Sequence, residues 1–116
     1  MINPVYTISQ DYKGYVVTLI TKEGEALLNS LPFESINKAP DVIQKVKLHI
    51  CFQSNFVRKT YGLNAFGFEV RTCWDDLVAE SIIFNTRQER EEAMYDAQNA
   101  SKKAQYSGAL LTRNVA

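Results

Sequence analysis

The chain repeats itself at a spacing of 51 residues, and this internal repeat limits the possible folds more than any other feature. Positions that agree in polarity, named first in one half and then in the other, are Val17 and Phe68, Leu19 and Val70, Ser30 and Ser81, Phe33 and Phe84, and Val46 and Ala97. No gap is needed between the first pair and the last. Two unrelated hairpins followed by helices could align in part, but agreement over such a span favours duplication. We interpret the chain as two tandem copies of one unit, approximately residues 4–60 and 61–112.

The size and charge of the chain fit one small domain. It has 116 residues, and its 13 Lys and Arg residues are balanced by 13 Asp and Glu residues. A chain with no net charge has no strong electrostatic attraction for polyanions. Its main function is therefore not nonspecific binding to nucleic acid or to anionic lipid. Hydrophobic residues make up 46% of the sequence, enough for a packed core. No linker rich in Gly, Pro or Ser separates the copies, so we expect a single domain over residues 1–116.

Each copy begins with the pattern of a β-hairpin. In the second copy, side chains of core type recur at every second position from Phe66 to Thr72, the period of a half-buried strand. A polar turn around Asp75 follows, and residues 77–83 return as the partner strand. The first copy has the same pattern, with Gly24 in the turn, where glycine allows a positive φ.

A helix follows each hairpin. In the second copy Thr86 and Glu89 form a capping box, and small or apolar residues at spacings of three and four continue to about Lys103. In the first copy Pro40 lacks an N–H and is tolerated only in the first turn, so we expect Asn37 to be the N-cap. Three further strands are expected over residues 5–9, 53–60 and 105–112.

The fold class follows from this order of strand, hairpin, helix, strand, hairpin, helix, strand. It predicts an α+β protein in which two tandem βββα(β) repeats build a single antiparallel sheet, with both helices packed on one face.

The most distinctive hairpin segments are residues 14–19 and 24–30 in the first copy and residues 68–71 and 77–81 in the second. These segments resemble those of the YegP-like family, small bacterial proteins of unknown function. The resemblance implies that the terminal strand of each repeat crosses to the other repeat. It implies no catalytic residue. The Asn-Gly turn of the family is replaced here by Glu23-Gly24 and by Asp75-Asp76.

The first residues and the cysteines indicate a cytoplasmic protein. Residues 1–6 have neither the basic start nor the apolar stretch of a signal peptide. Cys51 and Cys73 are too far apart for a C-x-x-C motif and too few for a disulfide framework, so we expect two reduced thiols.

No group of residues forms a recognisable catalytic, cofactor or metal motif. His49 is the only histidine, and Cys51 lies two positions away, so the two side chains would not face each other on a helix. The pair Asp75 and Asp76 lacks the further spaced oxygens of a calcium loop. We therefore expect no enzymatic activity, no cofactor and no metal site.

Nucleic-acid binding through the helix-free face of the sheet is the alternative function. Aromatic residues that could stack on bases (Tyr12, Tyr15, Tyr61, Phe66, Phe68 and Trp74) are interleaved with Lys13, Arg58, Lys59 and Arg71. Within their strands, however, these aromatics occupy the alternate positions that we expect to face the core. Residues 1–58 carry 6 basic against 5 acidic side chains, so the sequence has no basic stripe.

The function that fits best is a non-enzymatic interaction module that binds another protein or a second copy of itself. The candidate partner surface consists of Trp74, Asp75 and Arg71, at the turn that carries the only Trp of the chain. A Trp in a polar turn either packs against the core or anchors a partner, and we expect Trp74 to pack against the core.

Overall fold

The structure is a computed structural model that describes the backbone of residues 3–112 and the side chains of residues 3–104. The strands are β1 (Val5–Asp11), β2 (Gly14–Ile20), β3 (Ala26–Ser30), β4 (Phe56–Gly62), β5 (Ala65–Arg71), β6 (Leu77–Ser81) and β7 (Gln105–Thr112). The helices are α1 (Ala39–Ile50) and α2 (Arg87–Lys103), and short 3-10 turns precede α1 and β4. The predicted order of elements is confirmed. The remaining residues of the expected domain, 1, 2 and 113–116, lie outside the described residues.

All seven strands belong to one sheet, in the order β4-β5-β6-β3-β2-β1-β7. Every pairing from β4 to β1 is antiparallel, which confirms the predicted α+β class with a single antiparallel sheet. The strand that ends each half pairs with the other half, since β4 pairs with β5 of the second half and β7 pairs with β1 of the first, which is the crossing that the resemblance implied. The β1–β7 pairing is parallel. A parallel pair needs a long crossover, and α2 provides it.

The two halves use the same local contacts. Strands β1 and β4 begin at Val5 and Phe56, the same spacing of 51 residues that the sequence shows. In the first half the Ser30 hydroxyl accepts the Val17 N–H at 2.9 Å, and in the second half the Ser81 hydroxyl accepts the Phe68 N–H at 2.8 Å. Each serine thus replaces a backbone partner where the hairpin ladder ends. Duplication itself, and the repeat boundary near residue 60, stay predictions.

The core lies between the sheet and the two helices. Strands β3 and β6 each contain a bulge, at which two residues of the strand lie opposite one residue of its neighbour. Consecutive side chains at the bulge of β3, Leu27 and Leu28, are therefore both buried. The predicted apolar stripe of α2 is buried from Arg90 to Ala104, and α1 buries Ala39, Ile43, Val46 and Ile50. Neither described helix is long and apolar enough to cross a membrane.

The helix starts confirm one predicted cap and correct the other. Thr86 caps α2, with its hydroxyl accepting the Glu89 N–H at 3.1 Å. The prediction that Asn37 caps α1 is wrong, since the N-cap position is Lys38 and makes no capping hydrogen bond. Ser35 instead accepts the Asn37 N–H and caps the 3-10 turn that precedes α1. Pro40 lies in the first turn of α1, as expected.

Helix α2 crosses the sheet and contacts both halves. Near its beginning, Glu91 binds Arg58 of β4 at 2.6 Å. Near its end, the Ser101 hydroxyl is 2.7 Å from the hydroxyl of Tyr6 on β1, and both side chains are buried. The Lys47 ammonium of α1 donates to the Ala104 carbonyl at 2.9 Å and lies over the Tyr6 ring. Polar contacts therefore fix α2 at both ends.

The buried Tyr6 hydroxyl makes the stability depend on pH in alkaline solution. Burial raises the pKa of Tyr6 to about 12, because the phenolate would lose its hydration. From about pH 10 to 12 the unfolded chain releases this proton while the folded chain retains it, so the free energy of unfolding falls as pH rises. We expect this residue to account for a loss of roughly 2–3 kcal/mol across that window.

The substitution Tyr6→Phe removes the titrating group and should flatten this part of the profile. Near neutral pH the same variant should lose about 1 kcal/mol, because the Ser101 hydroxyl is left buried without its partner. Urea unfolding between pH 8 and 12 measures both effects, and Tyr12→Phe, at an exposed tyrosine, is the matched control. Equal alkaline slopes for wild type and Tyr6→Phe would contradict the assignment.

Candidate binding surface

The sheet has a helix-free face, which we call the open face. Arg58 binds Glu91 of α2, and Phe68 is part of the core, so both side chains lie on the helix side. Because successive strand residues alternate between faces, Lys59 and Glu69 lie on the opposite side. Residues paired across strands share a face, and the register extends the open face through Glu80, Asn29, Thr18 and Thr7.

The open face carries its charges on β4, β5 and β6. Glu69 is only 8% exposed, and its carboxylate lies 2.8 Å from Arg71 and 3.8 Å from Lys59. Glu80 is exposed and directly opposite Glu69 on the neighbouring strand. Two like charges in such a position repel each other, so the cations beside Glu69 are needed to stabilise this pairing.

Tyr61 lies across β5 on the same face, and Gly67 makes room for its ring. A Cβ atom at position 67 would be 3.0 Å from a ring carbon of Tyr61 and 2.9 Å from the Ser81 hydroxyl. Partial burial raises the pKa of Tyr61, and the charges of Glu69 and Glu80 raise it further. The ring is 52% exposed. The open face thus presents one aromatic surface among four charged groups.

The turn between β5 and β6, residues 72–76, is called the Trp74 tip below. Asp75 has a φ of 67°, and its N–H donates to the Thr72 carbonyl at 2.9 Å. The Thr72 hydroxyl accepts the N–H groups of Trp74 and Asp76, each at 3.2 Å. The Arg71 guanidinium donates to the Asp75 carbonyl at 2.7 Å. These bonds fix the backbone of the tip.

The Trp74 side chain points away from the core. It is 84% exposed, so the prediction that it packs against the core is wrong. Its place in a hydrogen-bonded turn between the ends of β5 and β6 leaves the ring outside the packed core. The predicted partner residues Trp74, Asp75 and Arg71 do lie together, and Arg71 connects the tip to Glu69 on the open face. A shallow cleft of about 320 Å³ lies beside the tip, lined in part by Asn55, Val57 and Arg71.

The interleaved aromatics separate into two groups. Phe66 and Phe68 are buried, and Tyr15 packs against the core, as strand parity predicted. Tyr12, Tyr61 and Trp74 are exposed, which parity did not predict for Tyr12 or for Tyr61. Tyr12 lies in the turn after β1, where strand parity does not apply, and Tyr61 has the parity of Lys59, which places its ring on the open face and not in the core.

The other candidate residues stay apart. The His49 Nδ1 atom lies 2.8 Å from the Lys45 carbonyl of its own helix. Cys51 and Cys73 are both exposed free thiols. Within the part of the chain that the structure describes, no three His, Cys, Asp or Glu side chains are close enough to hold a metal ion.

Sequence reasoning missed the carboxylate pair Glu69 and Glu80. In the sequence, each of these glutamates occupies an ordinary polar position of an amphipathic strand, which gives no reason to pair them. Only the register between β5 and β6 brings them opposite each other. The spacing of 51 residues offers a partial signal, because it relates Glu69 and Glu80 to Thr18 and Asn29, which are themselves paired and joined by a hydrogen bond of 2.6 Å.

Comparison with known proteins places the fold. The chain is similar to YegP of E. coli, a protein of unknown function, with a TM-score of 0.78 and 17% identity over 100% of this chain and 97% of that one. It is also similar to the UPF0339 protein SO3888 of Shewanella oneidensis, with a TM-score of 0.77 and 12% identity over 96% and 92% of the two chains. No family model matches the chain, and no curated protein sequence matches it. The chain therefore has a YegP-like fold, and the resemblance read from the hairpins is confirmed at that level.

The positive φ of Asp75 leads to a stability prediction. Gly24, 51 residues earlier, occupies the corresponding turn of the first half, with a φ of 86°. Glycine adopts this conformation without steric cost, whereas a residue with a Cβ does not. Asp75→Gly should therefore stabilise the protein by up to about 1 kcal/mol, since the Asp75 carbonyl contact with Arg71 is kept. Gly24→Ala should destabilise it by about 1 kcal/mol.

Thermal or urea unfolding measures both variants, with Asp76→Gly as the neighbouring control. A clear loss of stability in Asp75→Gly would show that the carboxylate, paired with Arg71 at 3.6 Å, matters more than the backbone strain.

Proposed function

We propose that the protein is a non-enzymatic interaction module that binds another protein through the Trp74 tip. The observation that supports this proposal is the combination of an exposed Trp74 ring and a backbone held by several hydrogen bonds. Tryptophan and arginine are the side chains that most often dominate binding energy at protein interfaces. Here Trp74 projects outward, and Arg71 lies at the base of the same turn.

A fixed turn favours binding because little conformational freedom is lost when a partner closes on it. Trp adds a large contact area with only two side-chain torsions to restrict. The cleft beside the tip offers polar groups that could pair with a partner around the buried ring. The partner that fits is a protein with an apolar pocket for the indole and hydrogen-bonding groups at its rim.

Binding of single-stranded nucleic acid by the open face is the less favoured function. Tyr61 could stack on a base, and Lys59 and Arg71 could approach phosphates. However, Glu69 already binds both cations, and Glu80 adds a further negative charge in the middle of the face. Phosphates would be repelled there.

We expect the protein to be bacterial and cytoplasmic.

The test is binding by the full chain with and without the Trp74 side chain. Wild-type protein and Trp74→Ala are immobilised and exposed to lysate of the cells that encode the protein. We expect a partner that wild type retains and that Trp74→Ala binds at least about tenfold more weakly, because an anchor residue contributes most of the affinity. Leu63→Ala is the matched control, since Leu63 is an apolar hairpin residue that is 91% exposed.

Two outcomes would contradict the proposal. The first is a set of captured proteins that is the same for wild type, Trp74→Ala and Leu63→Ala. The second is a loss of stability well above about 0.5 kcal/mol in Trp74→Ala, which would assign the ring to the fold. Salt-sensitive binding of single-stranded RNA by the pure protein, unchanged in Trp74→Ala, would favour the nucleic-acid alternative instead.

A further inference from the structure

The backbone of β4 is bonded to the sheet on one side only. On the neighbouring strand β5, Phe66 exchanges two backbone hydrogen bonds with Phe84, of 2.9 and 2.7 Å, on the side away from β4. Consecutive residues of an antiparallel strand direct their N–H and C=O groups to alternate sides, so Gly67 directs its own towards β4. Its partner there is Lys59, whose backbone groups are therefore used inside the sheet.

The two neighbours of Lys59 along β4, Arg58 and Thr60, direct their N–H and C=O groups outward. The residue opposite Arg58 is Phe68, which donates its N–H away from β4, to the Ser81 hydroxyl at 2.8 Å. Strand β4 is at one end of the sheet, and no further strand pairs with it in the part of the chain that the structure describes. Two donors and two acceptors in a row are thus available to an added strand.

Neither cation of β4 covers this edge. Natural edge strands are often protected by charged side chains. Here the Arg58 guanidinium donates to both carboxylate oxygens of Glu91 on α2, at 2.6 to 2.9 Å. The Lys59 ammonium lies 3.8 Å from Glu69 on β5. Both side chains extend inward from β4 over the two faces of the sheet, and the exposed residues Arg58 and Thr60 leave the edge backbone accessible.

We propose that β4 binds an extended segment of another protein, which adds to the sheet as a further strand and carries an acidic side chain opposite Lys59. Main-chain hydrogen bonds give such a complex its affinity, and alternate side chains give it specificity. Lys59 is available to an acid, because its contact with Glu69 is long and its side chain is 39% exposed. Val57 and Tyr61, two positions away on the same face, favour apolar or aromatic side chains on either side of that acid.

A second copy of this chain fits the edge poorly. A two-fold axis at Arg58 or at Lys59 places each cation opposite its own counterpart, and like charges that face each other across strands are destabilising. An axis at Thr60 brings the register shift before Gly62 into the pairing. An axis nearer the beginning of β4 brings in the 3-10 turn Gln53–Asn55, which is not extended. An extended segment of a different protein meets none of these obstacles.

Two proline substitutions in the full chain test the direction of the backbone groups. Proline lacks an N–H and is tolerated within a sheet where that N–H would face outward from an edge. Thr60→Pro should therefore lower the melting temperature by less than about 4 °C, whereas Lys59→Pro, one position away, should lower it by about 10 °C or more. Equal losses in the two variants would overturn the assignment of a free edge.

The binding test uses the capped peptide Thr-Val-Thr-Glu-Thr-Val-Thr and follows NMR shifts and amide hydrogen exchange of the full chain. We expect a dissociation constant of about 1 mM or below and slower exchange of the Arg58 and Thr60 amides in the complex. A central Lys in the peptide should weaken binding by about fivefold or more, because it faces Lys59. N-methylation of the two Thr residues beside Glu should abolish binding, since those amides pair with β4. Thr60→Pro should weaken binding by about tenfold.

The proposal fails if the peptide leaves the β4 amides unchanged at about 5 mM, several times the expected dissociation constant. It also fails if Thr60→Pro or N-methylation leaves the affinity unchanged, or if the peptide with a central Lys is preferred. Protection of the same amides by dimerisation of the protein alone would assign the edge to a second copy instead. Trp74→Ala should leave peptide binding unchanged, which distinguishes this edge from the Trp74 tip.

Discussion

The pairing of β3 with β6 is the interaction on which the rest of the structure depends. It joins the two hairpins at the centre of the sheet, with Asn29 opposite Glu80. Each half alone has too few strands and one amphipathic helix, so it buries too little apolar surface to offset the entropy of an ordered chain. The central pairing merges both hairpins into one surface. Helices α1 and α2 then cover a common core that neither half could build.

The surfaces that remain for function follow from this arrangement. Because both described helices lie on one side, the other side of the sheet presents strand side chains, of which Glu80 and Tyr61 are exposed while Thr7 and Thr18 are buried. The pairing of β5 with β6 brings Glu69 and Glu80 opposite each other, and Arg71 stabilises that pair while holding the turn that carries Trp74. A side chain that satisfies a need of the sheet thus also orients the Trp74 tip. The fold thus supplies a turn whose backbone is held by hydrogen bonds from Arg71 and Thr72.

The sequence was most informative where a local rule decides the structure. Alternation, the turn at Gly24 and the Thr86 cap predicted strands, hairpin and helix start correctly. It was less informative where contacts distant in sequence decide. The cross-strand position of Glu80 depends on register, the exposure of Trp74 depends on what lies beyond the turn, and the parallel direction of β7 depends on the path of α2. Asn37 failed as a cap because a 3-10 turn capped by Ser35 precedes the helix.

The central claim is that the halves fold only together, and a fragment experiment tests it most directly. Residues 1–62 and 63–116 are produced separately, which divides the β4–β5, β3–β6 and β1–β7 pairings between two chains. Circular dichroism and thermal unfolding should show that each fragment alone lacks cooperative structure and that an equimolar mixture regains it. The mixture should then unfold in a single transition that depends on concentration. Cooperative unfolding of either isolated fragment as a monomer would contradict the account.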